Sequence, residues 1–556
     1  MNSATKTCNA WCRSTLAIAL VGSLLLWAAL PPLSLGWLGW IAPVPWLMLV
    51  RADQLPERRP YRALWLAGFV FWLLTIHWLR LPHPATYLGW LALSAYLAFY
   101  LPAFVGLSRV AVHRLSLPLW LAAPVVFTGL EYARAHLLTG FLMASLAHTQ
   151  VKWPALIQIS DLVGEYSVDF VMTSVAAAIA SVAFAPRNYF ALAPAILLLA
   201  GTLGYGHYRL NENLAHASDA EPRPVRIALI QGNSLAEWKF DSSRERQIMD
   251  EYLALSERAV ALARARGDGR PLDLVVWPET MFRSGLVSFE PDYELPPGTG
   301  RSKEEYAAVA RQDLASLVRR LGTPVLVGID RAHFATRDLP PLRYNSAALV
   351  ARDGQIVGTY DKIHRVMFGE YIPFAHWLPF LYGLTPLTGG IEPGGEPAGL
   401  ELDDIVYAPN ICYETAIPHV IRRQIAALVA RGQSPDVLVN LTNDAWYWGS
   451  SELDQHLACG VFRAVEARRP LVIAANGGIS AWIDHLGRIR AGSPRQQTDV
   501  IIADVERGYM SSWYIEFGDW FAAACLACCA ALAVIGWRPF LTTIQTRGQG
   551  DTETRR

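Results

Sequence analysis

Val406-Tyr407-Ala408-Pro409-Asn410-Ile411-Cys412-Tyr413-Glu414 is the stretch whose reading decides the fold of the larger, polar part of this chain. It starts as an apolar run of strand character, reaches a thiol, and passes into Thr415–Arg431, whose pattern predicts a helix. A cysteine at such a turn sits at a helix N-terminus, where the dipole favours the thiolate. Thiolates attack acyl carbonyls and form thioesters, which splits acyl transfer into two easier steps. The same pattern, taken alone, also fits a buried structural cysteine.

Two further strand ends carry chemistry. In Val275-Val276-Trp277-Pro278-Glu279-Thr280 an apolar strand ends on a carboxylate. Pro278 and the strand geometry put Glu279 at the rim of a sheet, half desolvated, which raises its pKa toward that of a useful base. In the run from Tyr360 to Pro373, Lys362 is followed by Glu370 and a turn. A lysine fixed beside a reacting carbonyl stabilises the oxyanion of a tetrahedral intermediate. Individually, Glu279 also reads as an ordinary loop carboxylate and Lys362 as a solvated charge.

Around these motifs the period alternates. Short β-rich runs occur at Val225–Ile230, Leu272–Trp277, Pro324–Gly328, Ser346–Val350, Val437–Leu441, Leu471–Ala475 and Val500–Val505. Helical stretches lie between them, at Ser242–Arg266, Lys303–Leu321, Thr415–Arg431 and Glu452–Arg468. That alternation predicts a layered α/β domain over residues 208–518. Several strands are continuous apolar runs, so both sheet faces are expected to be covered. The Pro/Gly-rich patches at 291–300 and 383–399 read as long loops. His364, His376 and His456 are scattered without metal-ligand spacing, and no phosphate or dinucleotide loop occurs, so no metal or cofactor is expected. The sequon at Asn440 lies on a core strand and reads as incidental.

The rest of the chain has a different solvent. Of 556 residues, 53% are hydrophobic and only 17% charged, with a net charge of zero, and mean hydropathy is +0.23. Residues 14–50 hold no Asp, Glu, Lys or Arg, whereas 208–320 is rich in them. Such segregation predicts a membrane protein, and without a basic run or a nucleic-acid motif no nucleic acid is expected as a partner. Apolar runs at about 16–31, 34–50, 62–80, 88–108, 118–136, 165–186, 189–207 and 519–537 give eight candidate spans. The first is followed by Pro31-Pro32 and a second charge-free run rather than a cleavage site, and reads as a retained anchor. Arg51, Arg58, Arg59, Arg62, Arg109, Arg114, Arg187 and the arginines of the C-terminal tail fall on one side if both termini are cytoplasmic. Segment 208–518 then faces outward. Among the seven cysteines, Cys8 and Cys12 read as reduced cytoplasmic thiols, Cys459 as core, and Cys525, Cys528 and Cys529 as small hydrophobes of an apolar helix. Only Cys412 has catalytic surroundings.

Together the three motifs are specific. Trp-Pro-Glu279, then Lys362 within Tyr-Asp-Lys…Phe-Gly-Glu-Tyr-Ile-Pro, then Cys412-Tyr-Glu resemble the Glu-Lys-Cys triad of the nitrilase (carbon-nitrogen hydrolase) superfamily. With the flanking spans, nearly the full length resembles the apolipoprotein N-acyltransferase family. Supporting echoes are Val225–Gly232, Asn443-Asp444-Ala445-Trp446, Gln455-His456, Arg463 to Glu466, Glu131 to Phe141 and Gln150. The resemblance implies an αββα sandwich on an eight-span helical bundle. It divides the chain into a seven-span membrane domain (1–207), an extracytoplasmic catalytic domain (208–518), and an eighth span with a cytoplasmic tail (519–556). It implies a bacterial inner-membrane enzyme with the catalytic domain on the periplasmic side. It further implies that Glu279 is the general base, that Lys362 steadies the oxyanion with Glu370 positioning it, and that Cys412 carries an acyl chain. That chain would come from a phospholipid and pass to the N-terminal amine of a diacylglyceryl-cysteine lipoprotein. Trp238, Tyr413 and Glu414 match positions around the substrates. The chain departs from the family pattern at Tyr447-Trp448-Gly449, at Ala474-Ala475 and at Leu142-Met143. Two other readings share parts of this pattern: a membrane-tethered amidase, and a non-catalytic lipid-binding scaffold.

Overall fold

The computed structural model describes residues 14–184, 189–212, 223–236, 242–375, 377–384, 389–507, 510 and 512–553. The chain divides into two compact units. One runs to His77, continues over Trp90–Tyr208 and resumes at Asp519; the other comprises Trp78–Gly89 and Arg209–Gly518.

The first unit is helical. Four of its helices, Thr86–Arg114 (broken near Ala98), Tyr166–Ala183, Tyr189–Leu210 and Trp520–Trp537, are long and apolar enough to cross a membrane. The expected span at 34–50 is instead a 3-10 turn, Gly36–Trp40, followed by the short helix Val44–Arg51. Pro43 and the glycines at 36 and 39 prevent one continuous helix there. Several buried ionisable groups of this unit are paired. Arg134 binds Glu131 (Nε to Oε1, 3.0 Å) and donates to the carbonyls of Phe141 and Met143. His148 meets Glu165 at 3.0 Å, and Gln150 ties Trp40 to the carbonyl of Gly36.

The second unit holds two sheets. The first contains β1 (Val225–Gln231), β2 (Leu274–Val276), β3 (Phe282–Phe289), β4 (Val325–Phe334), β5 (Leu342–Val350), β6 (Ile356–Asp361) and, at its far edge, β13 (Asp499–Val505). Its order is β13-β1-β2-β4-β5-β6, with β3 also paired to β4. The second contains β7 (Leu400–Leu402), β8 (Ile405–Ile411), β9 (Val437–Asn443), β10 (Leu471–Asn476), β11 (Ala481–Ile483) and β12 (Ile489–Gly492), in the order β12-β11-β10-β9-β8-β7. Each sheet has a parallel centre, β1-β2-β4 in one, where β3 also pairs parallel with β4, and β8-β9-β10 in the other, with antiparallel strands outside it.

Strand alternation sorts the apolar side chains into layers. Ile227, Leu229, Val276, Leu326, Leu349, Ile411, Val439 and Leu441 fill the space between the sheets. Ala228, Ile230, Val275, Trp277 and Val327 face the other way, under helices α1 (Ser242–Ala265) and α2 (Lys303–Leu321). Helices α3 (Pro418–Ala430) and α4 (Glu452–Ala467) belong to the second sheet, α4 against β10. The result is the expected αββα sandwich. Full burial of each such aliphatic side chain is worth roughly 1.5–3 kcal/mol. This interior is what makes the sheet rims rigid enough to hold a site.

Candidate active site

β6 runs parallel to β2 and β4, since two antiparallel steps through β5 restore the direction. The C-terminal ends of β2 and β6 therefore lie on one edge of the first sheet, and those of β8 and β9 on one edge of the second. The chain leaves these ends as Glu279, Lys362, Cys412 and Asn443. Glu279 bridges the two sheets, because its Oε2 accepts the backbone N–H of Asn443 at 2.9 Å. Its Oε1 accepts from Asn345 Nδ2 at 2.6 Å. The carboxylate is thus fixed on both oxygens.

β4 has to pass close beneath that turn. A Cβ on Gly328 would lie 2.3 Å from the Pro278 carbonyl and 2.6 Å from Glu279 Cα, so only glycine fits. Thr280, just after, is left-handed with φ +53°. The strand-end glutamate is held in a tight backbone corner rather than in a free loop.

Lys362 is buried and follows β6 directly. Its Nζ donates to Glu370 Oε1 at 2.7 Å and stands 3.8 Å from Glu279 Oε1. Glu370 Oε2 accepts the N–H of Val366 at 2.7 Å, which closes the loop around the lysine. Burial works against the ammonium, yet the charges of Glu370, Cys412 and Glu279 hold its pKa above the ordinary lysine range. Lys362 is a fixed cation. Burial pushes Glu279 upward, against the lowering effect of Lys362. Cys412 retains some exposed surface, but its thiol is pushed well up by burial and by Glu279.

The helix-dipole expectation for Cys412 does not hold. The residue opens a five-residue 3-10 turn, Cys412–Ala416, and α3 begins only at Pro418. One short turn has little dipole, and desolvation outweighs it. A thiolate at this position would have to come from proton transfer to a neighbour. If Glu279 takes that proton, Lys362, Glu279, Glu370 and Cys412 together keep one net negative charge throughout. Such a transfer would form a thiolate in a buried site without creating new charge.

Glu414 is wholly buried. It accepts from the Tyr360 hydroxyl, from the N–H groups of Ile363 and His364, and from the N–H of Ile411, all at 2.7–2.9 Å. These bonds tie the Lys362 loop to the Cys412 corner, so its oxygens are engaged internally rather than turned to a substrate. Tyr413 is half-buried, with its ring 6.2 Å from that of His364. Trp238 lies outside the described residues.

Sequence reasoning did not single out Asn345 or Thr442, and it took Asn440 only as an incidental sequon. A lone Asn in the apolar run of β5 was the signal for the first. Nor did it find that Asp444, Glu452 and His456 come together with donor atoms within 4.8 Å of one another. Burial pushes Glu452 well up, toward its neutral form. Burial disfavours a charged His456, but Asp444, Glu452 and the Cys412 carbonyl outweigh it and push its pKa up to about 9.

Residues 22–178 match the model of the apolipoprotein N-acyltransferase N-terminal domain, and residues 226–515 that of the carbon-nitrogen hydrolase family. An apolipoprotein N-acyltransferase of Rhodopirellula baltica is 33% identical, covering 93% of this chain and 96% of that protein. Another, from Geobacter metallireducens, is 33% identical over 94% of this chain and 95% of its own length. A third, from Caulobacter vibrioides, is 30% identical over 90% and 91%.

Proposed function

The chain belongs to the apolipoprotein N-acyltransferase family, and from that premise we propose that Cys412 takes an acyl chain from a phospholipid and passes it to the N-terminal amine of a diacylglyceryl-cysteine lipoprotein. Glu279 is the general base that receives the Cys412 proton. Lys362 stabilises the oxyanion of each tetrahedral intermediate, and Glu370 fixes the lysine. Attack of the thiolate on the ester carbonyl forms the thioester and expels lysophospholipid, which leaves with the proton from Glu279. The acceptor amine then attacks the thioester, loses a proton to Glu279 and frees the thiol. Residues 1–207 and 519–556 form the membrane part, in the bacterial inner membrane, with 208–518 on its periplasmic side.

The observation that carries this reading is a buried cation, Lys362, bonded to one carboxylate and 3.8 Å from a second, with the charges of Lys362 and Glu279 both acting on the Cys412 thiol. Lipid substrates are supported by the loop after Lys362, where Phe374, Trp377 and Phe380 are 67%, 74% and 64% exposed. Aromatic side chains so exposed call for an apolar partner. The amidase alternative shares the triad but gives no reason for that loop or for the apolar helices.

The test uses the full chain in detergent micelles, a phospholipid with a labelled acyl chain, and a diacylglyceryl-cysteine peptide with a free amine. The peptide gains one acyl group, and Cys412→Ala abolishes the transfer. Release of free fatty acid at the same rate with and without the peptide would instead make the chain a hydrolase.

A further inference from the structure

The Glu279–Lys362–Glu370 group accounts for a proton and an oxyanion, but it does not hold the Cys412 backbone. That backbone needs holding. Cys412 has φ +53°, in the left-handed region that costs a non-glycine residue of order 1 kcal/mol or more. Its carbonyl oxygen lies 3.1 Å from His456 Nε2 and accepts from Asn440 Nδ2 at 3.2 Å. His456 is buried on α4, and its Nδ1 stands 3.5 Å from Asp444 Oδ1. A carbonyl and a carboxylate can only accept, so both ring nitrogens carry protons. Asp444 is fixed in turn: its Oδ1 accepts from the Thr442 hydroxyl at 2.6 Å, and a Cβ on Gly478 would lie 2.3 Å from its Oδ2. Asp444 therefore stands behind the Cys412 carbonyl through His456.

We propose that His456, held by Asp444, is a positioning residue for acyl transfer: by gripping the Cys412 carbonyl it keeps the left-handed corner that presents Sγ to the acyl group. The proposal rests on Cys412 being the acyl-accepting nucleophile. His456 forms no covalent bond and exchanges no proton with substrate; its effect is on the approach of sulfur to carbon. Misplacing a reacting atom by about 1 Å costs about 100-fold in rate.

Two readouts at Cys412 test this in the full chain in micelles: the single-turnover rate of acylation by phospholipid, and the rate of alkylation by iodoacetamide, both followed on the Cys412 peptide by mass spectrometry. His456→Ala lowers acylation about tenfold to 100-fold, with the KM for phospholipid within about twofold of the parent. His456→Gln, whose carboxamide N–H reaches the same carbonyl, recovers most of that loss. A purely structural role would depress both variants along with the melting temperature. Acylation by His456→Ala within about twofold of the parent overturns the proposal, as does a Gln variant that folds normally yet is as slow as Ala. If Ala does not fold, Gln is compared with Asp444→Asn, which removes the charge fixing His456 and slows acylation while Gln does not; equal rates overturn the proposal. Should the parent itself form no acyl-enzyme, the functional reading fails, while slowed alkylation in Ala restored in Gln still supports positioning.

Discussion

At the scale of single residues, the proposed mechanism has one cation shared among groups that need it at different moments. Glu279 must be ionised to accept the thiol proton, and burial raises its pKa. The acylation rate therefore falls as pH drops through a value above the ordinary carboxylate range, and a pH profile of single-turnover acylation measures that limb. Glu279→Gln keeps the bond from Asn443 N–H but cannot take a proton, and lowers acylation by about 10²–10⁴-fold. Lys362→Met removes the cation from between two carboxylates and costs about 10²–10³-fold in the same assay. The Glu279 and Cys412 motifs could be read in the sequence because each ends an apolar run, whereas Lys362 follows the half-exposed β6 and was read from its Tyr-Asp-Lys setting and the resemblance. Their supports were not legible. Asn345 lies 66 residues from Glu279, Asn443 lies 164 away, and His456 is 44 beyond Cys412, so no local pattern links them. The dipole expectation for Cys412 failed because a turn was read as a helix start, and burial, invisible in sequence, reversed the sign.

At the scale of elements, strand ends rather than loops position the chemistry. Gly328→Ala drives a methyl group into the Pro278–Glu279 backbone at 2.3–2.6 Å, where nothing flexible can yield. The expected outcome is a shifted Glu279, acylation reduced by about 100-fold, and phospholipid KM little changed, read from kcat and KM separately. Glu414→Ala leaves the Tyr360 hydroxyl and three backbone N–H groups without an acceptor. Unsatisfied buried groups cost ~1–3 kcal/mol each, so a loss of ~3 kcal/mol or more is expected in denaturant titration. The continuous apolar strands, β1, β9 and β10, were read within two residues of their observed bounds. β4 was truncated, because past Ile329 its residues are only partly covered and its apolar run stops although the strand continues to Phe334. β3 and β6 escaped for the same reason: half-exposed strands carry a weak hydrophobic signal.

At the scale of the whole molecule, two solvents are written into one chain. Four helices meet the length and hydropathy of a span; Thr15–Ala29 and Pro60–Thr75 are shorter, and Leu119–His136 carries the buried Glu131–Arg134 pair. Composition alone marked where apolar runs lie, but not where glycine and proline divide them. The proposed orientation predicts that a cysteine at Asp338, on an exposed loop, reacts with a membrane-impermeant thiol reagent in intact spheroplasts. A cysteine at Arg58 reacts only after permeabilisation; the reverse pattern would invert the topology. The central claim, that Cys412 is a transient acyl carrier, is tested most directly by mass spectrometry of the purified chain after incubation with phospholipid and no acceptor. The Cys412 peptide gains the mass of one fatty-acyl group and loses it when a diacylglyceryl-cysteine peptide with a free amine is added. An unmodified Cys412 while acyl transfer proceeds, or an acyl group on another residue, would contradict the account.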